Sequence, residues 1–384
     1  MVYLCIMNGL YIHVPFCRRR CIYCGFYSTT CGGEEQKAYV KALSHELSLR
    51  CDELPSRHID TLYIGGGTPS VLAPSLLEDI FKAVGDIFSL SSACEITVEA
   101  NPDDVTDDWC DTLSCLPINR VSMGVQSFDD SILRALNRRH TSNQAVKAVE
   151  RLYQRGTDNI SVDLIYGLPA QTFEGFASDV DTVLGLPVSH LSAYALMFEE
   201  GTPLMSMLQR KVIKEADEEL SVRMYDYLMD KLAGAGWEHY EISNFSLPGK
   251  ASRHNSGYWQ EMHYLGCGPS AHSYDGKRRS WNASSLQDYL RVGGDVVGGG
   301  IREEEILSRS DLRNERIMKG LRTCKGMDLD AFASDFDQSQ LDRLLLQARP
   351  SVRAGYLAID NGFLHLTRQG IFLSDGIMAD LMEV

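Results

Sequence analysis

The chain has 384 residues, enough for one large domain and a smaller one, and its 44% apolar content supplies the core of a globular protein. A formal charge of −15 would repel phosphate backbones and anionic lipid head groups, so no nucleic-acid partner is expected. No window approaches the roughly 18 unbroken apolar residues of a membrane span, the opening "MVYLCIMNGLYIHV" lacks a basic segment and a cleavage site, and eleven cysteines suit a reducing compartment, so a cytoplasmic protein is expected.

In chain order, short apolar, β-rich runs alternate with longer amphipathic ones. The pattern predicts a strand over 9–16, a helix over 34–52, a strand over 59–67, a helix over 74–88, a strand over 94–102 and a helix over 106–114. It continues with a strand over 119–128, helices over 129–136 and 142–155, a strand over 159–169, a helix over 173–184, a strand over 190–198 and a helix over 215–234. Such alternation argues an α/β fold, an incomplete (β/α)6 TIM-like barrel across residues 1–240. From 241 to 300 aromatics and turn formers suggest a connecting segment. Residues 301–384 read as helices and a hairpin around "GYLAIDNGFLHLT", compatible with a small winged-helix-like C-terminal domain. A homodimer is compatible with the sequence, which does not fix an oligomeric state.

In such a barrel, reactive groups sit at the C-terminal ends of the strands. After the first strand come Cys17, Cys21 and Cys24, at C-x₃-C-x₂-C spacing. A structural zinc wants four ligands, usually from two separated pairs, and no second pair follows. Three thiolates can instead hold three irons of a [4Fe–4S] cube, leaving the fourth open to a small molecule. Free thiols at chance spacing, or another metal scaffold, are the plainer alternatives. The intervening Arg18, Arg19 and Arg20 would offset a cluster's negative charge or simply form a solvated loop. After the second strand "GGGTP", residues 65–69, lets backbone groups approach a ligand closely; it is neither a Walker loop nor a dinucleotide turn.

With these two motifs the chain resembles the radical S-adenosylmethionine (SAM) superfamily. Within it, "IHVPFC", "YIGGGTPS", "EANPDD", "RVSMGVQSF", "LNRRH" and "VDLIYGLPAQT" resemble oxygen-independent coproporphyrinogen III oxidase and the HemW-type haem chaperones. The resemblance implies that Cys17, Cys21 and Cys24 ligate the cluster and that SAM's amine and carboxylate take the open iron. It implies that Tyr11 and Tyr23 flank the cluster and SAM, and that Gly66, Gly67 and Thr68 meet the methionine end. Glu99 and Arg138 would pair its charges, Gln126 and Asp163 would bind the ribose, and the backbone near Met197 would meet adenine. Taken singly, each polar residue could equally be a strand-end group satisfied by its neighbours.

Two features separate the subfamilies. The oxidase pattern has a further cysteine where this chain has Phe26, and a longer segment ahead of the cluster. "RHNSGYW", residues 253–259, resembles the H-N-x-x-Y-W motif of the HemW type. Its His254 could be an axial haem ligand, with Tyr258 and Trp259 as flat apolar surface for a porphyrin; a structural histidine is the plainer reading, and His13, His239, His263 and His272 are the other candidates. The expectation is a haem chaperone that carries a cluster and exchangeable SAM, has no assigned catalytic residue, and delivers haem to an acceptor protein. The rival is radical decarboxylation of coproporphyrinogen III.

Overall fold

A computed structural model describes residues 7–30 and 32–383. Its centre is six parallel strands, β1 (Asn8–Val14), β2 (His58–Gly66), β3 (Ser89–Ala100), β4 (Arg120–Gln126), β5 (Ile160–Tyr166) and β6 (His190–Ala195). They pair in sequence order. The crossover helices are α1 (Gly33–Arg50), α2 (Pro74–Ile87), α3 (Asp107–Ser114), the pair α4 (Asp130–Ala135) and α5 (Ser142–Gln154), and α6 (Phe173–Gly185). The strands are buried on both faces but alternate in character: Leu10, Ile12, Val121, Val162 and Leu191 give one face a fully buried apolar layer, while Thr61, Thr97, Arg120, Ser161 and His190 put buried polar groups on the other. Side-chain caps start the helices that follow the strand ends, with Asp129 capping α4, Thr141 capping α5 in a capping box with Gln144, and Thr172 capping α6. The expected incomplete barrel is therefore present.

The sheet is wider than expected. After α7 (Pro203–Gln209) and α8 (Glu218–Gly234), β7 (Glu238–Glu241) and β8 (Asn244–Ser246) extend it antiparallel beyond β6. The short helix α9 (Arg253–Trp259) leads into β9 (His263–Cys267), which pairs parallel with β1. Antiparallel strands β10 (His272–Tyr274), β11 (Arg278–Asn282) and, after α10 (Leu286–Arg291), β12 (Arg302–Ile306) complete twelve strands. The stretch expected as a connector thus adds strands to both edges of the barrel sheet. Runs of three to five residues are too short for a periodic signal to emerge.

The C-terminal unit has its own core of Ile317, Leu321, Phe332, Leu344, Leu364 and Ile377. Helices α11 (Arg309–Arg322), α12 (Leu329–Phe336), α13 (Gln338–Arg353), α14 (Arg368–Ile371) and α15 (Ser374–Leu381) surround a sheet of β13 (Met327–Asp328), β14 (Leu357–Asp360) and β15 (Phe363–Leu366). The expected hairpin turns at Asn361 and Gly362, both at positive φ (50° and 83°), as a two-residue turn of right-handed strand twist requires. Arg279 to Glu315 (2.6 Å), Arg316 to Glu261 (3.3 Å) and Arg368 to Asp226 (2.5 Å) tie this unit to the barrel.

Candidate functional site

The three thiols lie in the loop that leaves β1. Loop and barrel are joined by backbone bonds between Cys17 N–H and Thr29 carbonyl (2.9 Å) and between Thr29 N–H and Pro15 carbonyl (2.7 Å). All three cysteines are free thiols with partial exposure. Cys17 Sγ is 3.4 Å from Thr68 Oγ1, and Arg138 donates to Cys21 Sγ at 3.3 Å. Among the described residues no three histidine, cysteine or carboxylate side chains converge as ligands of a single ion would. A cube asks something different, one thiolate on each of three separate irons.

The glycine turn after β2 is built for close approach. Gly66 has φ +108°, and a Cβ there would fall 2.7 Å from the His13 ring. At Gly67 a Cβ would meet the Phe16 carbonyl oxygen at 2.7 Å. Gly66 N–H donates to Glu99 Oε2 (3.1 Å) while the Tyr63 hydroxyl donates to Oε1 (2.7 Å). Glu99 is enclosed by protein yet keeps some access to the barrel mouth, and burial pushes its carboxyl up to about 7 against the Tyr63 hydrogen bond, with the charge of Asp163 adding to the rise. Asp163 on β5 is likewise raised to about 6 by burial, against a hydrogen bond from Ser192.

Arg138 occupies the turn between α4 and α5. Its guanidinium donates to Asn101 Oδ1 (2.8 Å) and to the Gly124 carbonyl, while its buried Nε has no partner among the described residues. Asn101 in turn donates to Thr68 Oγ1 at 3.2 Å, so Thr68, Asn101, Arg138 and Cys21 form one polar chain across four strand ends. Gln126 sits at φ +72°, its amide close to Gly124, and Tyr23 packs with Ile132, Leu136, Ile165 and Leu168. Tyr11 hydrogen-bonds His13 Nδ1 (3.0 Å), with its ring 6.1 Å from that of Tyr63. Met197 is 65% exposed beyond β6. Tyr63, Asn101 and buried Arg120 link the expected residues: Tyr63 donates to Glu99, Asn101 accepts from Arg138, and the Arg120 charge lies near Glu99 and Asp163.

His254 is placed differently from its expected haem role. It is 1% exposed, Nδ1 is 2.8 Å from Thr61 Oγ1, Nε2 is 2.9 Å from Tyr258 Oη, and the ring stacks on Tyr63 at 5.1 Å. Both nitrogens are occupied and burial lowers the pKa to about 3, so in this arrangement His254 is a neutral structural hub with no lone pair free for iron. Beside it lies a cavity of about 510 Å³ lined by Tyr11, Phe26, Tyr258, Trp259, Tyr264 and His272, among others. A depression of similar size between α1 and α2, lined by Lys37, Lys41, Asp79 and Lys82, is remote from the strand ends and holds no comparable chemistry.

Comparison with known proteins accords with this geometry. The radical SAM superfamily pattern matches residues 11–183, and the HemN C-terminal domain pattern matches residues 307–373. Over 96% of its length and 96% of the relative's, the chain is 35% identical to the haem chaperone HemW of Lactococcus lactis. The chain belongs to the HemW family. A second family member, HemW of Bacillus subtilis, is 32% identical over 97% of this chain and 98% of its own length. Among solved structures, coproporphyrinogen III oxidase (HemN) from Escherichia coli, described as a radical SAM enzyme, superposes on 98% of this chain and 90% of its own at a TM-score of 0.84 and 25% identity. HemW family membership and the HemN likeness cover both the barrel and the C-terminal unit. Among the described residues no helix is long and apolar enough to cross a membrane.

Proposed function

We propose that this protein is a cytoplasmic haem chaperone that holds haem as cargo, carries a [4Fe–4S] cluster with exchangeable SAM, and passes the haem to an acceptor protein. The observation that carries the reading is the aromatic cavity that runs from the cluster loop, at Gly25 and Phe26, to Tyr258 and Trp259 of the H-N-x-x-Y-W segment. It accords with the names of the HemW relatives described above.

Cys17, Cys21 and Cys24 would hold the cluster, which when reduced supplies the electron that cleaves SAM in this superfamily. The chain's own groups suit SAM around it. Glu99 and Arg138 present opposite charges, and the unpartnered Arg138 Nε suits a carboxylate acceptor. Gly66 and Gly67 leave room for a close backbone contact, and Thr68 holds the turn against Cys17. Gln126 and Asp163 would take the ribose hydroxyls. Tyr11 and Tyr23 would wall the site, and the backbone near Met197 would meet adenine.

The second reading, decarboxylation of coproporphyrinogen III, is favoured by the HemN structural likeness. Against it, Phe26 stands where that enzyme pattern has a cysteine, and its ring is 72% exposed at the cavity rim. The test is anaerobic reconstitution followed by parallel assays of haem binding and of carbon dioxide release from coproporphyrinogen III. Haem binding without product supports the chaperone; robust product formation replaces it with the oxidase.

A further inference from the structure

The cavity beside the cluster loop has one wall made by the added strands β9, β10 and β11. Side chains alternate across a sheet, so residues paired directly or two apart share a face. Tyr264 pairs with Tyr274, Tyr274 with Arg279, and His272 with Trp281. Tyr264, Tyr274, His272 and Arg279 line the cavity, while Ser273 points the other way and binds Arg50 behind the sheet. The wall therefore presents two phenols, an imidazole backed by an indole, and a guanidinium to the same space. Lys319 of α11 closes the far side, its ammonium 4.5 Å from the Tyr274 ring centroid.

Among the described residues two histidines line this cavity, and one of them is free. His13 is committed through Nδ1 to Tyr11 and through Nε2 to the Tyr27 carbonyl (2.9 Å). His254, just outside the lining, is committed to Thr61 and Tyr258. His272 is exposed, its ring stacked on Trp281 at 5.9 Å and 24°, and among the described residues neither ring nitrogen makes a hydrogen bond. Partial burial, with the nearby Arg279 charge, lowers its pKa.

The charges suit an amphipathic dianion. Arg279 and Lys319 share one carboxylate, Glu315, at 2.6 and 2.9 Å, so two cations facing the cavity are offset by one anion. Among the described residues no aspartate or glutamate lines the space. An aromatic slot of about 510 Å³ with cations at one end fits a flat apolar ring bearing acidic arms.

We propose that His272 is the axial iron ligand of haem bound in this cavity, with Trp281 fixing the imidazole and with Arg279 and Lys319 receiving the propionates. The proposal rests on the haem-binding reading above and assigns the ligand to a residue outside the H-N-x-x-Y-W segment. His272 lies on an exposed face, so its replacement leaves the fold intact, whereas His254 is part of the core.

The experiment titrates ferric haem into the reconstituted full chain and into His272→Ala, His254→Gln and Arg279→Gln, recording Soret and electron paramagnetic resonance spectra. Expected for His272→Ala are unchanged melting, at least tenfold weaker haem binding, a changed Soret band and spin state, and return of the parent spectrum on adding free imidazole. Arg279→Gln should weaken binding of haem but not of its dimethyl ester, which lacks the acidic arms. An unaltered axial-histidine spectrum in His272→Ala overturns the assignment while leaving the chaperone reading in place. Loss of that signal in His254→Gln alone, in protein that still melts normally, does the same. Failure of the parent chain to bind haem overturns both.

Discussion

His254 Nε2 lies 2.9 Å from the hydroxyl of Tyr258, one helical turn further along α9. Tyr258 lines the cavity and His254 does not, so the imidazole acts on the cavity through the ring it holds. His254→Ala would leave the hydroxyls of Thr61 and Tyr258 without their partner and open a void behind Tyr63. Two lost buried hydrogen bonds at about 1 kcal/mol each, plus a cavity term, predict about 3 kcal/mol of destabilisation. Thermal or urea unfolding of the apoprotein measures it. A variant as stable as the parent would show that the imidazole is not a structural hub.

Glu99 predicts a pH dependence with a defined sign. Its folded pKa is about 7, above the ordinary value of 4.5, so the folded state holds the proton more tightly than the unfolded one. The associated stability is fully present below about pH 4.5 and is lost as pH rises through about 7. Compared with Glu99→Gln, the SAM-free parent should lose up to about 3 kcal/mol between pH 5 and pH 8. A bound ammonium group would reverse that loss, so SAM should raise the melting temperature more at pH 8 than at pH 6. Parallel pH profiles of the two proteins would contradict the assignment of a buried, proton-holding carboxyl.

The cysteine loop makes a simpler prediction. Anaerobically reconstituted parent protein should carry about four irons, and Cys17→Ala, Cys21→Ala or Cys24→Ala should each abolish the cluster chromophore. Cys94→Ala, a buried thiol on β3 away from the loop, should leave it unchanged. A full cluster in Cys24→Ala would remove that residue from the ligand set.

Gly66 is the sharpest backbone test. An alanine there must accept φ +108° and place its Cβ 2.7 Å from the His13 ring. Strain and overlap together predict about 2 to 4 kcal/mol of destabilisation and loss of SAM binding. Gly85, on helix α2 with open space around it, should tolerate alanine with no loss of stability. Calorimetric titration with SAM and melting curves of both variants provide the comparison.

The barrel strands and the cysteine loop were legible because their physics is local. One face of each barrel strand is apolar at alternate residues, as in Leu10, Ile12 and Val14, and three thiols at C-x₃-C-x₂-C spacing necessarily share one short loop. The roles proposed for Arg138 and Glu99, far apart in the chain, come from family likeness alone, since nothing local marks either charge as a ligand's partner. The edge strands were illegible because three to five residues carry no period, and their pairing with β1 and β6 is decided by sheet edges that exist only once the barrel has formed. The commitment of His254 and the freedom of His272 depend on the same long-range assembly. In sequence both are histidines among aromatics. Thr61, brought from β2 across 193 residues, occupies one ring and not the other, and only the folded chain brings them together.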